Sequence, residues 1–218
     1  HVQDFGPPKG LIPKPICPGV SAASESANLD FLRSCAVAAV FLFHLSITLG
    51  VRPPDYFGRF GVLLFFVHTS LVLMMSLGRI EHAGHALFLT FYIRRTFRIY
   101  PLSIVCVSII VLFHLPRAPW WPWFNPDQST VLANLLLCTN LFYKDVVTSV
   151  LWSLPYEVQM YVVLPFLYLA GKAYGLRGVL TIWCLAVVVG IIQPHVSGRL
   201  DIAQYGPCFI AGVASYFL

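Results

Sequence analysis

Charge is scarce in this sequence. Lysine and arginine number 14, aspartate and glutamate 9, and charged residues make up 11% of 218 positions, against about 25% in a soluble domain. With 58% hydrophobic residues and a mean hydropathy of +0.77, that shortage excludes an ordinary water-soluble fold and points to an integral membrane protein. Cysteine pairing is also absent. Cys17, Cys35, Cys106, Cys138, Cys184 and Cys208 are scattered, mostly inside apolar runs and without a CxxC pair. They read as small apolar packers, which excludes a disulfide framework or a cysteine metal site. No HExxH, GxSxG, Walker or GxGxxG pattern stands in a usable context, so the commonest hydrolase, metalloprotease and nucleotide-binding motifs are missing. The net charge of +5 sits between apolar runs, as in cytoplasmic membrane loops, and does not suggest a nucleic-acid partner.

What is present is a series of apolar runs, and the expected fold class is all-α, a polytopic transmembrane helix bundle. Residues 1–28 hold Pro7, Pro8, Pro13, Pro15 and Pro18 among polar residues and read as a flexible leader. The membrane domain is expected over 29–218. Its spans are expected at Leu29–Leu49, Gly61–Leu77, Tyr100–Leu115, Val150–Ala170 and Gly178–Ile192, with a further one beginning at Pro207. Val131–Tyr143 is a short apolar run that crosses only if tilted or extended. Counting it gives six crossings and the start of a seventh, and the sequence is expected to be a fragment lacking its C-terminal part. If 131–143 crosses, Lys172 and Arg177 fall outside, against the charge rule.

Residues 78–98 carry Arg79, Arg94, Arg95 and Arg98 against one acid, Glu81. Read as a loop, this stretch is cytoplasmic by the positive-inside rule, which places the N-terminus inside as well. Pro101 suits the first turn of the third span. Trp120, Trp121 and Trp123 lie among prolines in the next loop, where they suit a membrane interface or the wall of a carbohydrate site.

Three constellations can carry chemistry. Arg33 and His44 in the first span are eleven residues apart. At 100° per residue they share a helix face, roughly 16 Å apart along the axis, and can line one cleft at two depths. Ionisable groups inside a membrane helix usually face a bundle interior or wet cavity; a snorkelling arginine and an interhelical histidine are the bland reading. Arg95 and Arg98 stand three apart. On a helix they fall on one side, where a guanidinium pair suits a phosphate-rich ligand or the head groups of anionic membrane lipid. Trp152-Ser153-Leu154 precedes Glu157 at the start of the Val150–Ala170 helix. Ser153 can cap it and Pro155 fits its first turn. Glu157 either balances the helix dipole or pairs with an arginine or histidine. His68, beside Thr69 and Ser70, reads first as an interhelical hydrogen-bonder. His82, His85, His114 and His195 read as bystanders.

The order Asp30-x-x-Arg33-x10-His44, GVLLFFV, Arg95-x-x-Arg98-Ile-x-Pro101 and Trp152-Ser153-Leu154-x-x-Glu157 resembles the signature series of the acyltransferase-3 family, multi-pass membrane O-acyltransferases. The resemblance runs from about Leu29 to Tyr168. It implies a fold of about ten helices, a catalytic role for His44 and Glu157, and donor binding by Arg33, Arg95 and Arg98. Asp30, His68, Trp152 and Ser153 would support them. Many members read FFVLSG where this chain has Phe65-Phe66-Val67-His68-Thr69-Ser70.

The expected activity is therefore transfer of an acyl group, most simply acetyl, from cytoplasmic acyl-CoA to a hydroxyl of a carbohydrate or glycolipid. No bound cofactor, metal or nucleic acid is expected. His44 would act as general base or be transiently acylated. Arg33 and the basic stretch are expected at the cytoplasmic face, with His44 farther in. The setting would be a bacterial inner membrane, with acyl-CoA, the acceptor and membrane lipid as partners. The residues alone also admit a transporter or flippase in which His44, His68 and Glu157 relay protons, or a receptor-like scaffold.

Overall fold

The computed structural model describes residues 22–51, 53–80, 84–115, 125–196 and 201–218, and among these every regular element is a helix. They are α1 (Ala22–Thr48), α2 (Asp55–Gly78), α3 (His85–Phe113), α4 (Gln128–Leu135), α5 (Thr139–Phe142), α6 (Leu154–Val196) and α7 (Ile202–Phe217). Four stretches are long and apolar enough to cross a membrane: Ala27–Thr48, Tyr56–Gly78, His85–Phe113 and Ser149–Val196. Their outward residues, Phe41, Leu102 and Val162 among them, are exposed apolar side chains, as a lipid-facing surface requires. Residues 1–21 of the leader expected at 1–28, Glu81, His82 and the three loop tryptophans lie outside the described residues, and 22–28 are helical. Helix α1 begins at Ala22, seven residues before the expected span.

Helix α6 is two helices. Gly175 has φ 63° and ψ −166°, a conformation that favours glycine, and the chain reverses there. Tyr156 lies 4.7 Å from Tyr205 and Tyr168 6.2 Å from Tyr216, ring centre to ring centre, so α7 runs parallel to the first half. Trp183 Nε1 donates to the Pro207 carbonyl at 3.0 Å, and Gln204 Nε2 to Gln193 Oε1 at 2.9 Å, so α7 runs antiparallel to the second half. Each half has about 21 residues, or roughly 31 Å at 1.5 Å per residue, enough to span the hydrocarbon core.

Two sequence expectations are corrected. The third helix starts at His85, not Tyr100, so the basic stretch before Tyr100 is helical and Pro101 lies inside the helix. The cause is the apolar run HALFLTFYI, which has a surface to bury. Leu87 and Phe91 are buried, and Phe88 and Phe91 pack against Phe166 and Tyr161 of α6. A proline is tolerated within a membrane helix that neighbours support.

The second correction is Val131–Tyr143, which does not cross. Eight residues in α4 and four in α5 make helices of roughly 12 Å and 6 Å, against a core of about 30 Å. Asn134 holds the fold-back together: its Nδ2 donates to the Thr130 and Asp145 carbonyls, and its Oδ1 accepts from the Val147 amide. Asp127 caps α4, accepting from Ser129 Oγ and the Thr130 amide, and these bonds hold its carboxyl well below the usual carboxylate range. With that segment not crossing, the parity conflict disappears. The end of α2 meets α6 and α7 at Gly78, beside Tyr216 and Tyr168. Lys172 over the Tyr168 ring therefore lies toward the Arg79 end of the bundle.

Close helix approaches fix the packing. A Cβ on Gly212 of α7 would collide with Ser70 Oγ and the Val67 carbonyl of α2. Beside this contact Phe66 stacks on Phe209 at 4.3 Å. On the other flank, Gly61 of α2 sits against Ala36 and Val40 of α1, and Gly58 against Phe43.

Candidate functional site

A cavity of about 630 Å³ opens between α1, α2, α3 and the first half of α6. Arginine dominates its polar wall: Arg33 from α1, Arg79 at the end of α2, and Arg95 with Arg98 from α3. The three-residue spacing does what helix geometry requires, since Arg95 and Arg98 both line the cavity while Arg94 does not. Arg95 is half-buried and anchored, its Nη2 donating to Ser76 Oγ at 3.4 Å and its guanidinium lying 5.8 Å over the Phe91 ring. Its buried Nε has no partner among the described residues. Among the described residues the one ion pair is Lys144–Asp127, at 3.2 Å. None of the four cavity arginines is spent on a carboxylate there.

Two acids face those cations, Asp30 of α1 and Glu157 of α6. Glu157 is buried, accepts the Tyr161 hydroxyl hydrogen bond, and has Arg98 and Arg95 as its electrostatic neighbours. It lies in the first turn of α6, where a carboxylate also complements the helix dipole. His68 of α2 is a further wall residue, buried, hydrogen-bonded to the Leu29 backbone, with its Nδ1 unpartnered among the described residues.

The expectation that Arg33 and His44 line one cleft is corrected. Arg33 lines the cavity and His44 does not. The reason is the contact of small residues between them: Ala36 is fully buried and Gly61 packs against its carbonyl, which closes the α1–α2 seam above Arg33. The same register revises the depths. Arg33 falls opposite Phe65, near the middle of α2, while Phe43 beside His44 meets Gly58 in α2's first turns. So Arg33 lies mid-bundle rather than at the face, and His44 lies toward the opposite end from Arg79.

His44 has its own order. Its Nδ1 lies 2.8 Å from the Val40 carbonyl and its ring stands edge-on to Phe43 at 5.5 Å. A carbonyl can only accept, so Nδ1 carries a proton, and the neutral tautomer this bond selects has its lone pair on Nε2.

Trp152 and Ser153 do not line the cavity. Trp152 packs edge-on against Tyr156 at 6.1 Å and lies 5.7 Å from Tyr205. The Ser153 carbonyl accepts from the Glu157 amide at 3.2 Å. Both therefore support the helix end that presents Glu157. Sequence reasoning passed over Tyr161 and Ser76, and counted Arg79 only as a topology charge. The spacing of four from Glu157 to Tyr161 is the signal that finds the first; nothing local marks Ser76.

No curated protein and no solved structure gives a significant match to this chain. The family model described as an acyltransferase domain matches residues 26–217, a stretch that contains every residue of the cavity, His44 and the whole of α2 to α7. The chain thus belongs to the acyltransferase-3 family and is a membrane acyltransferase.

Proposed function

We propose that this acyltransferase moves an acyl group, in the simplest case acetyl, from acyl-CoA to a hydroxyl of a carbohydrate or glycolipid. The setting is a bacterial inner membrane, with the N-terminus and the Arg79 end of the bundle cytoplasmic. One observation carries the donor assignment. Four guanidinium groups converge on a single cavity without forming an ion pair among the described residues, and the buried Arg95 Nε lacks a partner among them, a wall suited to an anionic ligand. The nucleotide end of CoA is such a ligand, rich in phosphate oxygens that planar guanidinium groups bind in pairs. Orientation agrees with this reading, since Arg79 and Lys172 share one end of the bundle and basic residues favour the cytoplasmic side.

His44 serves the acceptor. Its Nε2 lone pair takes the proton of the attacking hydroxyl as the oxygen bonds to the thioester carbonyl carbon. The carbon–sulfur bond then breaks, the proton passes to the departing thiolate, and the products are an ester and free CoA. Family membership favours this reading over the transporter reading of the same residues.

The test is binding and turnover together. Purified protein in detergent should bind CoA by titration calorimetry, and membranes containing it should transfer label from acetyl-CoA into a base-labile ester. No CoA binding at low salt would remove the donor assignment.

A further inference from the structure

Two buried side-chain polar atoms lack a hydrogen-bond partner among the described residues, Arg95 Nε and His68 Nδ1, and both belong to residues of the arginine-lined cavity. The other buried side-chain nitrogens and oxygens among the described residues have partners. Ser70, one half-turn beyond His68, donates to the Phe66 or Val67 carbonyl, and Asn134 makes three bonds. A buried nitrogen left without a partner is unfavourable and uncommon. Arg95 Nε is accounted for by an anionic donor. His68 needs a second explanation: the Leu29 backbone engages the ring and Arg33, Asp30 and Arg98 lie around it, yet Nδ1 is left unbonded.

We propose that His68 is a donor-binding residue that holds the neutral arm of acyl-CoA, the amide-bearing stretch between the phosphates and the thioester. The proposal rests on the acyl-CoA reading above. His68 stands eight residues before Ser76, the anchor of Arg95, or about 12 Å along α2 at 1.5 Å per residue. Between those levels the cavity wall of α2 is Thr69, Val72, Leu73 and Met75, one hydroxyl among apolar side chains. That lining suits an uncharged chain leading away from bound phosphates. With the ring's N–H given to the Leu29 backbone, the unpartnered Nδ1 of a neutral imidazole is an acceptor, and an amide N–H of the arm supplies the donor it lacks. Arginine binds the charged end, and His68 fixes how far the arm reaches.

The experiment uses two ligands on purified protein in detergent: CoA, and adenosine bisphosphate, which carries the nucleotide end without the arm. His68→Leu should weaken CoA about three- to tenfold, the worth of one neutral hydrogen bond, and leave adenosine bisphosphate unchanged. His68→Gln restores a hydrogen-bonding group and should recover most of the CoA affinity. Arg98→Lys should weaken both ligands. If His68→Leu binds CoA as wild type does, or loses both ligands equally, the arm-binding role is overturned while the acyl-CoA reading stands. If wild type binds neither ligand, the acyl-CoA reading fails and takes this role with it.

Discussion

Tyr161 donates its hydroxyl hydrogen bond to the Glu157 carboxylate one turn earlier on α6, and both side chains are buried at the wall of the arginine cavity. The pair stands beside Arg98 and Arg95, the charges nearest to the Glu157 carboxyl group. Tyr161→Phe keeps the ring packed against Phe91 but leaves that carboxylate without its donor. A buried acceptor that loses its partner costs about 1–3 kcal/mol. The melting temperature of the purified variant in detergent should therefore fall, whereas Tyr92→Phe, which loses a bond to the Val162 carbonyl at a half-buried site, should fall less.

Helix contacts give a second expectation. Gly212→Ala places a Cβ on Ser70 Oγ and the Val67 carbonyl, where backbone must shift, while Gly206 on the same helix has open space around it. Overpacking of this kind costs about 1–3 kcal/mol. Gly206→Ala should be neutral or stabilising by up to about 1 kcal/mol through helix propensity. Paired thermal melts check this, and equal behaviour of the two variants would count against the α2–α7 contact.

The guanidinium pair makes a third. Arg98→Lys keeps the charge and loses the planar fork. Losing a charge-assisted hydrogen bond costs about 1.5–3 kcal/mol, so CoA affinity should drop roughly tenfold to a hundredfold at matched salt, with abundance in the membrane unchanged. Ser76→Ala removes only the anchor of Arg95 and should cost less than tenfold.

Topology is the fourth. Single cysteines placed at Gly84 and Lys172, in a background without the native ones, should be labelled from the same side of the membrane. A cysteine at Ser129 should be labelled from the other. The short α4 and α5 and the reversal at Gly175 require this pattern. Labelling of Lys172 and Ser129 from one side would restore a crossing at 131–143.

Much of the bundle was legible because apolar length and charge spacing are local signals. The first two helices, the helix opening at Leu154 and the shared side of Arg95 and Arg98 all followed from periodicity. Three features did not. The start of α3 was hidden because four arginines looked like a loop, when the apolar face of His85–Phe97 had α6 to bury against. The failed crossing at 131–143 depends on Asn134 reaching Asp145 and Val147, a non-local network. The separation of Arg33 from His44 depends on the Ala36–Gly61 contact, which no spacing within α1 reveals. Of the candidate site, the arginines were visible as residues, but the cavity that gathers them needed four helices in place.

The central claim, that acyl-CoA is the donor and His44 the base, is tested most directly by label transfer from radiolabelled acetyl-CoA in membranes holding equal amounts of wild type and His44→Ala. Removing a general base lowers the rate about 10²–10⁴-fold. Wild type should build up base-labile label in the carbohydrate or glycolipid fraction, and His44→Ala should fall to background while still binding CoA with wild-type affinity. Transfer by His44→Ala at the wild-type rate would contradict the account.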